Sequence, residues 1–436
     1  MSLESAVLAR LAAWRDAPLW RVAYSGGLDS SVLLHLLARA ARHHRLPPIR
    51  AVHVHHGLQT VADAWPAHCQ RFCDELGVAL DVQYVRVAPG ASQERAAREA
   101  RYAAFGALMV PGEALLLAQH QNDQAETLLY RLLRGAGVRG LTAMAHSRRL
   151  GPGHAVRPLL DVPRKALEAY AADHGLGWVE DPSNSDSGFA RNFLRREILP
   201  RLADHWPGAS AVLARAAAHQ AEAQGLLQEL ADIDLQRSRG RLGVAWLSIP
   251  CLDLPMLRQL SEARQRNLLR HWLGDRTRLP DSRHWQGWAD LRDAAVDATP
   301  VWRLESGELR RHGDQLLWLD AAWGVPWSNQ ELPWPDARQP LGLPGNGIVR
   351  VAGQLPDGRL SIGYRQGGEV LNLPGRGRRD LKRLLQEAGV PEFIRPRLPL
   401  LRCDGQVVAV ANLPLDPAMG ELHWQFSPWL RPVVPD

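Results

Sequence analysis

Lysine is nearly missing from this chain: of 52 basic residues, only Lys165 and Lys382 are lysine and the rest are arginine. A skew of that size reflects a biased codon supply more than selection for guanidinium chemistry. The arginines are therefore informative through where they cluster. Cysteine is scarce too. Cys69, Cys73, Cys251 and Cys403 are too few and too scattered among 436 residues to make a disulfide framework, and they fit a reducing, cytoplasmic setting. Cys69 and Cys73 are spaced C-x-x-x-C, which puts both on one helical face. The C-x-x-C pairs of zinc ribbons and iron–sulfur sites are missing, so ordinary helix packing is expected. No apolar run reaches the ~18–20 residues of a membrane span. The opening stretch MSLESAVLARLAAWRDAP is broken by Arg10, Arg15 and Asp16, unlike a secretory signal. A soluble protein with no membrane partner is expected, and no repeat or low-complexity tract points to a solenoid or a fibre.

Core material is ample, at 46% hydrophobic residues, and the length argues for two or three domains. Residues 1–205 alternate strand and helix. LWRVAY, IRAVHVHH, VALDVQYVRV and EALLLAQH read as strands. Helical spacing follows in DSSVLLHLLARAARHH, in ADAWPAHCQRFCDELG up to Gly77, in SQERAAREARYAAFGALM capped by Ser92, and in NDQAETLLYRLLRG stopped by Gly135. That rhythm predicts an α/β fold with a doubly wound parallel sheet. Residues 206–322 read as mainly helical, with a hairpin around Gly307 near the end. Residues 323–345 are rich in proline and glycine and read as a linker. Residues 346–436 mix short strands with one basic helix, a small α+β domain.

Between the first strand and the first helix lies VAYSGGLDSS. It has neither the G-K-[ST] of a Walker A loop nor the G-x-G-x-x-G of a dinucleotide fold. Gly26 and Gly27 allow the main chain to approach an anion, Ser25, Ser30 and Ser31 carry hydroxyls, and Asp29 could hold a magnesium ion against a pyrophosphate. The plainer alternative is a tight corner with Asp29 capping the helix. A second acid, Asp123, opens a later helix with Glu126 three residues on, the spacing of a capping box. Arg98 and Arg101, and again Arg131 and Arg134, are three apart and so present basic helical faces. The formal charge is +6. From Leu371 to Arg402, eight basic residues stand against three acidic ones, an electrostatic footprint for nucleic acid.

SGGLDSS after a first strand resembles the PP-loop of the ATP pyrophosphatases, which cleave ATP to AMP and pyrophosphate while adenylating a substrate. The resemblance implies that Ser25, Gly26, Gly27, Leu28, Asp29, Ser30 and Ser31 bind ATP, with Mg2+ on Asp29. HVHHGL (53–58), AAREARY (96–102), HQNDQAETLLYRLLRGAGVRGLTAM (120–144), RPLL (157–160) and EDPSNSDSGFARNFLRREILP (180–200) are together similar to the tRNA(Ile)-lysidine synthetase family. LPGRGRRDLKRLLQEAGVPEFIRPRLPLL is similar to the C-terminal module of that family.

Membership would imply ATP-dependent adenylation of the wobble cytidine of a tRNA(Ile) bearing a CAU anticodon, then displacement by free L-lysine. It would further imply His55 at the nucleotide, with Asp29, Asp123 and Arg191 in catalysis. His120, Arg98, Arg101, Arg134 and Arg195 would meet lysine or tRNA, and Arg378, Arg379, Lys382 and Arg383 would meet tRNA. The oligomeric state stays open, a homodimer included. Three rivals fit less well. A PP-loop tRNA thiolase would carry C-x-x-C pairs or a catalytic cysteine near the loop. A non-catalytic RNA-binding relative has no reason to keep both glycines and Asp29. An amidotransferase synthetase needs a glutaminase nucleophile and no basic C-terminal module.

Overall fold

The computed structural model describes residues 2–57, 60–87, 93–182, 190–279, 284–295, 298–373, 377–414 and 420–427. Ser92 and Arg376, and residues 183–189 of the EDPSNSDSGFARNF segment, lie outside them. The chain divides into two units, residues 1–226 and 227–436.

The first unit runs α1 (Leu3–Arg10), β1 (Trp20–Ala23), α2 (Leu28–Ala40), β2 (Ile49–His55), α3 (Trp65–Leu76), β3 (Ala79–Tyr84), α4 (Gln93–Leu108) and β4 (Ala114–Leu116). It continues with α5 (Gln121–Leu132), α6 (Val138–Leu141), β5 (Ser147–Leu150), β6 (Gly153–Val156), α7 (Arg164–Asp173), α8 (Ala190–Phe193), α9 (Leu199–His205) and α10 (Ala209–Arg237), which contains the division point. Six strands form one sheet in the order β3-β2-β1-β4-β6-β5. All its pairings are parallel except the β5–β6 hairpin.

The two-residue period of the strands sorts their side chains into two cores. Trp20, Val22, Ala51, Ala114, Leu116 and Val156 meet Leu33, Leu36 and Leu37 of α2, Phe72 of α3 and Leu167 of α7 on one face. Val52, Val54, Leu115, Leu117 and Ala155 meet Phe105 and Met109 of α4 on the other. Burial on both faces explains why these strands read as unbroken apolar runs, and each fully buried leucine contributes about 1.5–3 kcal/mol. Cys69 and Cys73 belong to the first core, and burial pushes both thiols up to about 12. β1 lies between β2 and β4, so the winding reverses beside it. Open α/β sheets take their ligands outside the carboxyl ends of the strands at such a switch. Two segments flank that crevice: the turn after β1 and the Leu117–His120 stretch after β4.

In the second unit, β7 (Cys251–Asp253), α11 (Leu254–Arg258), α12 (Glu262–Leu273), α13 (Gln286–Asp293), β8 (Val301–Leu304), β9 (Gly307–His312) and β10 (Gln315–Asp320) come first. The strands make an antiparallel sheet, β7-β10-β9-β8. The hairpin expected at Gly307 is therefore half of a meander that turns again at Gly313. β7 is too short to show any alternation in sequence. Trp272, Trp285, Trp288, Trp302 and Trp318 are all buried in this unit's helical core and offer no face for stacking on bases.

Then come β11 (Leu332–Pro333), β12 (Leu341–Leu343), β13 (Gly347–Ala352), β14 (Leu360–Gly363), β15 (Val370–Leu373), β16 (Gly377–Asp380), α14 (Leu381–Glu387), β17 (Leu400–Cys403), β18 (Gln406–Val410) and β19 (Glu421–Gln425). The stretch read as a linker supplies β11 and β12, and its Trp334 and Leu343 are buried in the same core as Leu381 and Leu401. Strands of two or three residues between prolines carry no period to read. Among the described residues, no helix is long and apolar enough to cross a membrane.

Candidate active site

The turn after β1 is held from within. Ser30 Oγ accepts from Ser25 N at 3.2 Å and donates to Gly27 O at 2.9 Å, and Ser31 Oγ donates to the same carbonyl at 3.1 Å. Both hydroxyls thus shape the turn, while Ser25 Oγ accepts from Gly27 N at 3.3 Å. Gly26 sits at φ +84°, and a Cβ there would meet Val179 Cγ2 at 3.0 Å and Cys69 Sγ at 3.1 Å. Its carbonyl also accepts from Val179 N at 2.9 Å, so the turn has little room for any other residue or shape. Gly27 is the N-cap of α2 and supplies no capping side chain. The first-turn amides of α2, which lack intrahelical partners, are left to whatever binds.

Asp29 does not cap α2. Its Oδ2 lies 3.6 Å from His120 Nε2, an ion-pair distance, while its Oδ1 is buried without a hydrogen-bond partner. Burial works to raise this carboxyl, but His120, Arg164 and Arg195 outweigh it and hold it below the ordinary carboxylate value. A buried, ionised, unpartnered oxygen is costly unless a cation takes it, which is what the donor set of a magnesium site offers.

His120 corrects the expected cap. It, not Asp123, is the N-cap of α5, and Asp123 is the N3 residue of the box. His120 N donates to Asp123 Oδ2 at 3.0 Å, and Asp123 N donates to His120 Nδ1 at 3.4 Å. The imidazole, 1% exposed, turns Nε2 toward both acids, 3.6 Å from Asp29 Oδ2 and 3.6 Å from Asp123 Oδ2. Burial disfavours its charge, but Asp29 and Asp123 outweigh burial and raise its pKa above 6.5. The cap pulls the other way, since a proton on Nδ1 would face the Asp123 amide. A raised histidine contributes stability in full below its unfolded pKa and loses it as pH rises through the folded one. The melting-temperature advantage of the wild type over His120→Gln is therefore expected to shrink over the pH range above about 6.5, the ordinary histidine value. A difference that stays flat over that range would rule out a charged His120.

Glu126, freed from capping, is 3% exposed and is taken by Arg195 in a fork, Nε to Oε1 at 2.6 Å and Nη2 to Oε2 at 2.9 Å. Arg195 Nη2 also donates to Asp123 Oδ1 at 2.9 Å. It stands in a π-helical stretch, Leu194–Ile198, which follows α8 and packs against α5. One wide turn there aims Arg195 at α5 while Leu194 stays buried. Burial pushes the Glu126 carboxyl up, and the Arg195 guanidinium counters part of that rise.

Asp29, His120, Asp123 and Arg195 are thus brought together, and Glu126 joins them. The remaining candidates are spread around. His55 Nε2 lies 3.1 Å from Asp63 Oδ1 with its ring edge-on to Tyr84. Arg191, half-buried on α8, is near enough to Arg131 for their charges to interact. Arg131 does not share a basic face with Arg134: it donates to Gly140 O and Ala143 O and closes the turn after α5. Arg134 is exposed and bonds Tyr130. Arg98 lies over the Tyr102 ring, and Arg101 is exposed one turn from the start of Phe105 packing. Arg378 and Arg379 on β16 and Lys382 and Arg383 on α14 are all exposed in the second unit, where Arg383 pairs with Glu387 at 2.9 Å.

Sheet, switch point and turn define the class: residues 3–202 match the PP-loop domain. Residues 252–317 match the TilS substrate binding domain and residues 360–427 the TilS substrate C-terminal domain. The chain is 58% identical to the tRNA(Ile)-lysidine synthase of Pseudomonas aeruginosa, over 99% of this chain and 98% of that one. It is also 58% identical to the Pseudomonas putida protein of that name, over 95% and 97%, and 40% identical to that of Escherichia coli O157:H7, over 90% and 91%. The chain belongs to the tRNA(Ile)-lysidine synthase family.

Proposed function

We propose that this chain joins free lysine to C2 of the wobble cytidine of a tRNA(Ile) with a CAU anticodon, consuming ATP and releasing AMP and pyrophosphate. The observation that carries the chemistry is the buried Asp29 Oδ1, unpartnered at the mouth of the turn. The cytosine 2-oxygen is a poor leaving group and is first made into a good one by attack on the α-phosphorus of ATP. The amides at Gly26 and Leu28 and the start of α2 would hold the departing pyrophosphate. A magnesium ion held by Asp29 would supply charge neutralisation for that departure. His120 fixes the Asp29 carboxylate from behind, leaving Oδ1 toward the ligand.

In the second step the lysine amine attacks C2, the C2–O bond to AMP breaks, and the nitrogen sheds a proton. Asp123, between His120 and Arg195, is the proposed acceptor. The acids of α5 also suit a lysine ammonium. Arg191, on α8 beside α5, would face the incoming RNA. Incubation of the purified chain with ATP, magnesium, labelled lysine and a CAU-anticodon tRNA(Ile) transcript is expected to put label into the tRNA. AMP release with the label left free would assign the activity to another substrate.

A further inference from the structure

On the α4 face of the sheet, three arginines converge on one phenol. Tyr102 has Arg98, a turn earlier on α4, 4.9 Å from its ring centroid, and Arg148 of β5 at 4.6 Å. Arg157 follows β6 and is 3% exposed. It donates from Nε to Gln119 Oε1 at 2.5 Å and from Nη1 to Ala145 O at 2.7 Å. Arg148 and Arg157 both interact with the Tyr102 hydroxyl. No carboxylate of a described residue pairs with Arg98, Arg148 or Arg157. Three cations held around one ring, one of them buried and none neutralised, repel one another unless an anion joins them.

The position says which anion. Gln119, which holds Arg157, directly precedes His120, so this pocket borders the switch-point crevice. α2, which would grip pyrophosphate, packs on the opposite face of the sheet from α4. A reactant reaching the α-phosphorus from the far side of the strand ends brings its own charge to the arginines. Resting on the function proposed above, we infer that Arg98, Arg148 and Arg157, with Tyr102 as their pin, bind a backbone phosphate of the tRNA beside the reacting nucleotide. The plainer alternative is that β5 is an edge strand kept unpaired by charge. Arg149 separates the two. Arg148 pairs with Ala155, on the α4 face, whereas Arg149 pairs with His154, whose ring meets Trp14 on the other face.

The test is the salt dependence of tRNA(Ile) affinity for the full chain and for Arg148→Gln, Arg98→Gln and Arg149→Gln, alongside ATP–magnesium binding by each. Loss of one phosphate contact lowers the slope of log K against log salt by about 0.7–0.9. Arg148→Gln and Arg98→Gln are expected to show that drop with ATP affinity unchanged, and Arg149→Gln to keep the wild-type slope. An equal drop in Arg149→Gln would reduce the feature to edge charge and overturn the pocket. Weakened ATP binding with an unchanged tRNA slope would also overturn it, by giving the arginines to the nucleotide. A wild-type chain that bound this tRNA no better than an unrelated one would instead sink the function on which the inference rests.

Discussion

Asp29→Ala is expected to lower AMP formation by about 10³-fold or more while the protein stays folded with only a small loss of stability. The two halves of that expectation come from the two oxygens of one carboxylate. Asp29 Oδ1 is buried and bonded to nothing, while Oδ2, 3.6 Å from His120, sits among the charges that hold the carboxyl ionised against burial. Removing the side chain takes from His120 one of the two acids that support its charge, and takes away the unpartnered oxygen placed to meet a cation at the start of α2. The melting temperature should fall by only a few degrees while turnover disappears, a loss of function out of proportion to the loss of stability. Asp29→Asn should be nearly as inactive, since an amide keeps the shape and loses the charge. AMP and pyrophosphate release, with circular dichroism on the same samples, gives both readings. Turnover within ten-fold of wild type would remove Asp29 from the metal and from catalysis.

The turn was legible because its demands are local. A positive φ at Gly26, close contacts at its missing Cβ and a helix starting directly after Gly27 leave few residue choices, and SGGLDSS is a sequence that meets them. The parallel sheet was legible for a similar reason, since strands buried on both faces show as apolar runs between helical periods. The α5 terminus was harder. Asp123 and Glu126 have capping-box spacing, but so do His120 and Asp123, and the helix starts at the earlier pair. Periodicity alone places a helix end no better than a few residues. That shift changes the chemistry: it puts Asp123 in the box and releases Glu126, whose partner Arg195 lies 69 residues further on. No local pattern announces such a pairing. Arg157 shows the same limit. RPLL stood out only as part of the family resemblance, and what it holds, Gln119 and Tyr102, is set by the order of the strands.

Arg195 then offers the sharpest choice between two roles, a tRNA contact and a brace for the acids of α5. The geometry favours the brace, since three of its hydrogen bonds go to Glu126 and Asp123. Arg195→Ala is expected to cut turnover about 10²-fold and to destabilise the fold by about 2–3 kcal/mol, below the 3–5 of a fully buried pair because its side chain is a third exposed. Left without its guanidinium, Glu126 takes up a proton, since burial already raises its carboxyl even with Arg195 in place. Arg195→Lys should rescue little, because an ammonium cannot fork across Glu126 and still reach Asp123. A double-mutant cycle with Glu126→Gln measures the brace directly, with a coupling of about 1–3 kcal/mol expected. If the coupling is near zero and Arg195→Ala instead weakens tRNA binding with a shallower salt slope, the guanidinium belongs to the RNA. If the coupling is large and tRNA affinity is unmoved, Arg195 serves the reaction by fixing where Asp123 stands.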